Sequence, residues 1–254
     1  PIVTAAAGAE YRMVAMKDDG FDLDAIANAV DENTRLIFLA NPNNPTGTMF
    51  DAKSLDAFLE RIPDHVVVAL DEAYADFASD FAKLRGVEYS HSTQYVKQNR
   101  NVVVLRTFSK AHGLAAARVG YGLGPAELLG YTARLRTAFA VTSVGEAAAL
   151  AALEDTAHLH LAIENNRAGA KYISEVFREL GYKPVETWAN FVCCDMHEDA
   201  NALAKRLQSE GVIVRPLSGT WGWRTAIRVT VGTPQENERF AAALKRVQDS
   251  YEAF

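Results

Sequence analysis

Lys110 stands in Arg106-Thr107-Phe108-Ser109-Lys110-Ala111-His112-Gly113-Leu114, with Arg118 close behind. A lysine amine that follows a strand and two hydroxyl residues can attack a carbonyl and form a Schiff base. Asp71 opens Asp71-Glu72-Ala73-Tyr74, directly after an apolar run. A carboxylate placed there can keep the nitrogen of a heteroaromatic ring protonated, so that the ring accepts electrons. Further upstream lies Asn41-Pro42-Asn43-Asn44-Pro45-Thr46-Gly47. Each piece also has a plainer reading. Lys110 could be a surface lysine, Asp71 a turn or helix cap, Thr107 and Ser109 turn residues, and Arg118 a surface charge. The asparagine-proline-glycine cluster is good turn chemistry in any case. The ordered combination favours the chemical reading: an amine that captures a carbonyl beside a ring that takes up electrons.

The surrounding elements must bring these distant residues together. Arg35-Leu36-Ile37-Phe38-Leu39, Val66-Val67-Val68-Ala69-Leu70 and Val102-Val103-Val104-Leu105 are short apolar runs. Such runs suit strands buried on both faces of a parallel sheet. Residues 119–123 read as a fourth strand, and residues 10–17 alternate enough to read as another. Helices are expected over 22–31 and from Asp51 to about Arg61, each behind an aspartate cap. Strands alternating with helices indicate an α/β layer fold, and ligands of open α/β sheets bind beyond the strands' carboxyl ends. Asp71, Thr107, Ser109 and Lys110 all fall there. Residues 125–181 turn helical, with Gly181 as a stop. A strand (190–195), a helix (199–210), a short strand at Val212-Ile213-Val214, a Gly/Trp-rich loop (218–224), a strand (226–231) and a helix from Pro234 follow. The expected division is a large domain at 1–155, a connecting helix at 156–180 and a small α+β domain at 181–254.

Composition narrows the partners. Of 254 residues, 49% are hydrophobic, and 26 Lys and Arg against 32 Asp and Glu give a net charge of −6. An acidic balance argues against nucleic acid, which rewards excess Lys and Arg. No basic run marks a membrane surface, and no apolar segment reads as a span. Cys193 and Cys194 are neighbours on an expected strand, pointing to opposite faces, and read as reduced core thiols of a cytoplasmic protein. His158 and His160, two apart on a helix, diverge, so no metal site is expected. Gly120-x-Gly122-x-Gly124 lacks the spacing and the acidic partner of a dinucleotide fingerprint.

The strings NPNNPTG, DEAY, RTFSKAHGLAAARVGYGLG, NFV, GVIVRPL and IRVTVGT, in this order, resemble the fold-type-I pyridoxal phosphate (PLP)-dependent aminotransferases over essentially the whole chain. Among these they are most similar to the histidinol-phosphate branch. The resemblance implies a mostly parallel, three-layer αβα large domain and a small C-terminal α+β domain. It implies that Lys110 holds PLP and shuttles a proton, and that Asp71 pairs with the ring nitrogen. Asn44, rather than Asn43, and Tyr74 would bond the ring's phenolic oxygen, while Thr107, Ser109 and Arg118 hold the cofactor phosphate. Arg228, Arg215 and Asn190 would meet the substrate, the two arginines suiting a phosphate dianion. Residues 115–117 are all alanine where the family usually has a glycine near position 116.

The implied reaction passes an amino group from histidinol phosphate, a small-molecule donor, to 2-oxoglutarate, a 2-oxo acid, in a homodimer that shares groups across its interface. An aromatic amino-acid aminotransferase or a related PLP decarboxylase is the alternative within enzymes. A non-catalytic aminotransferase-like sensor domain is the alternative of another class. The resemblance also implies a preceding segment with a small-domain arm, a helix and strand, a phosphate turn and an aromatic stacked on the ring. Without it, an open sheet edge, exposed apolar surface and weak PLP binding are expected of this chain alone.

Overall fold

A computed structural model describes residues 2–219 and 222–252. The first half runs through α1 (Ile2–Ala6), α2 (Leu23–Asn28), β1 (Leu36–Ala40), α3 (Ala52–Leu59), β2 (Val67–Asp71), α4 (Ala75–Arg85), α5 (Ser92–Lys97) and β3 (Val102–Thr107). A 3-10 turn at Ala115–Ala117 leads into β4 (Gly120–Leu123), followed by α6 (Ala126–Arg134), α7 (Ser143–Glu154) and the long α8 (Thr156–Glu179). The chain closes with β5 (Phe191–Asp195), α9 (Ala200–Ser209), β6 (Arg215–Pro216), β7 (Ala226–Thr230) and α10 (Pro234–Glu252).

The local chemistry explains most of these boundaries. Asp22 and Asp51 cap α2 and α3, accepting from the amides of Ala25 (2.9 Å) and Ser54 (2.7 Å). Asp155 and Asp199 do the same for α8 and α9. A side-chain acceptor there satisfies an amide that the helix itself leaves free. Gly86 ends α4 in the left-handed region, at φ +67°. Two expected strands do not form. Residues 10–17 make only an isolated bridge, Lys17 to Gly20, because no neighbouring strand takes up their backbone groups. Val212 to Val214 stay outside the sheet, and the pairing begins instead at Arg215. Residues 220 and 221 of the expected Gly/Trp-rich loop lie outside the described residues.

Four strands form one sheet in the order β1-β2-β3-β4, the first three parallel and β4 antiparallel. Ile37, Leu39, Val68, Leu70, Val102 and Val104 turn to one face, where they pack with Leu55 and Phe58 of α3 and Tyr95 of α5. The opposite face leaves Leu36 (48%) and Phe38 (65%) exposed, and β4 is exposed along its whole length. β5, β7 and β6 form a second, antiparallel sheet. Its core is continuous with α4, α8, α9 and α10. Phe177 of α8, with no exposed surface, meets Phe240 of α10 edge-on at 5.8 Å. Phe177→Ala is expected to cost about 3–5 kcal/mol in unfolding free energy, the usual cost of an emptied aromatic site. Denaturant titration with an unchanged slope measures it.

Cys193 and Cys194 are buried and free, and burial pushes both thiols up to about 12, leaving them inert as nucleophiles. His91 bridges two carboxylates, with Nε2 2.7 Å from Glu88 and Nδ1 3.2 Å from Asp56. The Glu88 hydrogen bond, aided by Asp56, holds its pKa above the ordinary histidine value. The protonated form is therefore favoured by folding. Its stabilisation is complete below the unfolded pKa of about 6.5 and is lost as pH rises through the higher folded value. Melting curves across the neutral range should show the native protein losing more stability than His91→Gln; parallel curves would remove His91 from this role. No helix among the described residues is long and apolar enough to cross a membrane.

Candidate functional site

The carboxyl edge of the four-stranded sheet gathers the residues that matter. Asn41 follows β1, Asp71 ends β2 and Thr107 ends β3. Because β4 runs antiparallel, Thr107 lies opposite Gly120, the first residue of β4. That reversal brings Val119, the neighbour of Arg118, back beside Thr107 and Phe108, and puts the Arg118 cation within electrostatic reach of Lys110. The Phe108 amide donates to the Val119 carbonyl at 3.2 Å, closing the loop that carries Lys110. Arg118 adopts left-handed backbone geometry (φ +55°) after the alanine turn and donates to the Ala115 carbonyl at 2.9 Å. Thr107 Oγ1 accepts from the Ser109 amide at 3.1 Å.

Lys110 is half-buried, and its Nζ lies 5.3 Å from the centre of the Tyr74 ring. Burial lowers its pKa first, and the cations of Arg228 and Arg118 add to that, while the Asp71 carboxylate opposes them. A lowered lysine pKa leaves more neutral amine at a given pH, the form that attacks a carbonyl. Tyr74 caps the start of α4 and is buried against Phe191, edge to face at 5.3 Å. Burial, with Asp71 nearby, raises its hydroxyl pKa, and Arg228 pulls the other way, so it stays a neutral donor. Asp71 accepts from the Ala73 amide at 3.1 Å.

The asparagine-rich turn separates two roles. Asn43 is buried and donates to Thr46 Oγ1 at 2.9 Å, so it holds the turn together. Asn44 is exposed and its Oδ1 accepts from Arg228 Nη1, which leaves the amide NH2 free to donate to a ligand. Gly47 fixes the turn's position. It sits at φ +84°, and a Cβ there would come within 2.6 Å of Thr187 Oγ1.

Arg228 departs from the usual strand arginine. It turns inward from β7, its guanidinium 4.9 Å from the Phe191 ring centre. Its Nε is buried with no hydrogen-bond partner among the described residues, an uncommon state for a buried donor. Burial lowers its pKa, and Arg215, opposite it on β6, adds cation repulsion. Two such cations side by side call for an anion. Arg215 itself is exposed and borders a separate hollow of about 680 Å³ with Asn201, Ser218 and Arg224. Asn190 precedes β5, and its carbonyl accepts from the Val231 amide at 2.9 Å. Phe191 is the contributor that sequence reasoning passed over. The Asn-Phe-Val string marked the place, but its contact with both Tyr74 and Arg228 exists only in three dimensions.

The donor set suits a ligand with a carbonyl, a ring nitrogen and a phosphate. The amine and the carboxylate act on each other electrostatically, Thr107 and Ser109 lie on the amine's own segment, and Arg228 reaches in from the second sheet with an unsatisfied Nε. Fold and edge together define an α/β protein with a half-buried lysine amine at the carboxyl edge of its sheet. The family model of the class I and II aminotransferases matches residues 2–244, and the chain belongs to that family.

Among its relatives, histidinol-phosphate aminotransferase 2 of Pseudomonas fluorescens strain Pf0-1 is 44% identical over 97% of this chain and 65% of its own length. Histidinol-phosphate aminotransferase 1 of Cupriavidus pinatubonensis is 45% identical, over 96% of this chain and 64% of its own length. The crystal structure of histidinol-phosphate aminotransferase from Sinorhizobium meliloti in complex with pyridoxal-5'-phosphate superposes with a TM-score of 0.88. It is 32% identical, over 98% of this chain and 67% of that one. The chain thus spans about 65% of the length of the curated relatives it matches.

Proposed function

We propose that this chain carries the PLP-binding edge and the small sheet of a transaminase that moves the amino group of histidinol phosphate to 2-oxoglutarate. The observation that carries this is the half-buried Lys110 amine, set within the fields of Asp71, Arg118 and Arg228 at one sheet edge. PLP supplies an aldehyde that captures amines and a ring that takes up the electron pair of a broken C–H bond. Lys110 Nζ holds the cofactor and, once released, moves the proton at the substrate α-carbon. Asp71 keeps the ring nitrogen protonated. Asn44 and Tyr74 would donate to the ring's phenolic oxygen, and Thr107, Ser109 and Arg118 would take the cofactor phosphate. Arg228 and Arg215 take the substrate phosphate, with Asn190 beside it.

The division at 1–155, 156–180 and 181–254 is retained as part of this proposal, supported by the two separate sheets. A homodimer is inferred from the exposed apolar side chains Val144, Leu150, Leu153 and Leu161, which suit a partner surface. The two free buried thiols fit a cytoplasmic setting.

The PLP-loaded protein tests the reading in a half-reaction without 2-oxo acid. Histidinol phosphate is expected to convert the cofactor; conversion by phenylalanine or tyrosine alone would replace the reading with the aromatic alternative. Arg228→Met should raise KM for histidinol phosphate by about 10- to 100-fold, the worth of a charged hydrogen bond of about 1.5–3 kcal/mol. The same variant should change KM for unphosphorylated histidinol far less. Equal penalties for the two substrates would move the phosphate away from Arg228.

A further inference from the structure

We propose that Glu72 is a positioning residue, locking together the two strand ends that carry Asp71 and the Thr107–Lys110 segment. Glu72 follows Asp71 and is only 2% exposed. Successive side chains on extended backbone point to opposite faces, so Glu72 turns away from the side that Asp71 serves. Its amide donates to the Leu105 carbonyl at 2.9 Å, continuing the β2–β3 ladder. Its carboxylate then meets the next residue of β3. Arg106 donates to Oε2 through Nε (2.9 Å) and Nη2 (2.6 Å). Ser90 donates to Oε1 at 2.7 Å, and Ser92, the first residue of α5, to Oε2 at 3.0 Å.

One carboxylate therefore ties together β2, β3 and the entry to α5. Asp71 is one residue before Glu72, and Thr107 is one residue after Arg106. Any slip between the strands moves the candidate ring-nitrogen partner relative to the candidate amine. Stability alone does not explain this arrangement. Burying a carboxylate costs desolvation, and an apolar pair of similar volume often serves the fold equally well or better. An apolar pair lacks direction. A guanidinium fork and two hydroxyls on one carboxylate fix both distance and angle. A misplacement of about 1 Å at a reacting centre can cost about 10²-fold in rate, so such a lock matters at this edge.

The proposal rests on the PLP reading for only one of its three readouts, the titration of bound cofactor. The test compares the native protein with Glu72→Gln and with the double variant Glu72→Met, Arg106→Met. Thermal midpoints report stability. Without cofactor, hydrogen exchange is followed in peptides covering 69–75 and 105–111. With PLP, the pH midpoint of the bound cofactor's absorbance is followed. Glu72→Gln, which leaves Arg106 uncompensated, should lower the thermal midpoint, speed exchange in both segments and shift the titration midpoint. The double variant should recover the thermal midpoint, yet exchange about tenfold faster in both segments and titrate about half a pH unit or more from the native protein. Native-like exchange and titration in a double variant of native stability would overturn the proposal. If the double variant does not fold, Arg106→Lys, which keeps the charge and loses the fork, decides on the exchange readout alone. Faster exchange in both segments supports the lock, and unchanged exchange overturns it. A native protein with no borohydride-reducible link at Lys110 would sink the PLP reading while leaving the exchange result to decide this one.

Discussion

Lys110→Ala is expected to abolish the borohydride-reducible link to PLP and to lower turnover by about 10³-fold or more, within the range of a lost acid–base group that is also the covalent anchor. The reason lies in the amine's surroundings. Lys110 ends the loop after β3, half-buried, with Nζ facing the Tyr74 ring. Burial, Arg228 and Arg118 all press its pKa down, against Asp71 alone. A variant lacking the amine keeps the hydroxyls and Arg118, so PLP should still bind, reversibly and without the covalent bond. Reduction of the loaded native protein, digestion and mass mapping should place the label on the peptide containing residue 110. Label on any other lysine, or undiminished turnover in Lys110→Ala, would overturn the assignment. Lys110→Arg is a useful companion, because it keeps the charge near Asp71 and still cannot form the bond.

Asp71→Asn should lower the half-reaction rate by roughly 10²-fold, as for other charge-stabilising groups removed from a site. The substitution keeps the size of the side chain and leaves an oxygen for the Ala73 amide, so the strand end should hold its shape. What disappears is the charge proposed to keep the ring nitrogen protonated. An analogue with C–H in place of that nitrogen separates the two effects. With it, native and variant proteins should react at similar slow rates. A full penalty with the analogue would mean that Asp71 acts only through structure. A second effect has a fixed sign. The Asp71 carboxylate raises the Lys110 pKa, so its removal must lower that pKa further. In the cofactor-free protein, the pH midpoint for modification of Lys110 by an amine reagent should therefore fall, and a rise would contradict the electrostatics of the site.

Much of this was legible in the order of residues. The apolar runs ending at Leu39, Leu70 and Leu105 became β1, β2 and β3 with little change, but the expected burial on both faces holds only along β2, since Leu36 and Phe38 of β1 and Leu105 of β3 are exposed. Asp22, Asp51 and Gly181 marked helix ends through local bonding and local backbone freedom. The rule that ligands gather beyond the strand ends then placed Asp71, Thr107, Ser109 and Lys110 on one edge. Other features could not be read in this way. Residues 10–17 carry a strand-like alternation, but a strand exists only when a neighbour accepts its backbone groups, and none does. The short helices α4 and α5 were not foreseen between stronger signals.

The residue types alone determined that an amine, a carboxylate and two hydroxyls gather at strand ends, since those links depend on neighbours a few positions away. Only the folded chain decided that β4 reverses to bring the Arg118 cation within reach of Lys110, that Arg228 turns inward to Asn44 and Phe191, and that Glu72 is buried on Arg106. These are contacts between segments up to 184 residues apart. They are fixed by strand pairing and by the need of buried charges for partners, and neither is written in any local stretch of sequence.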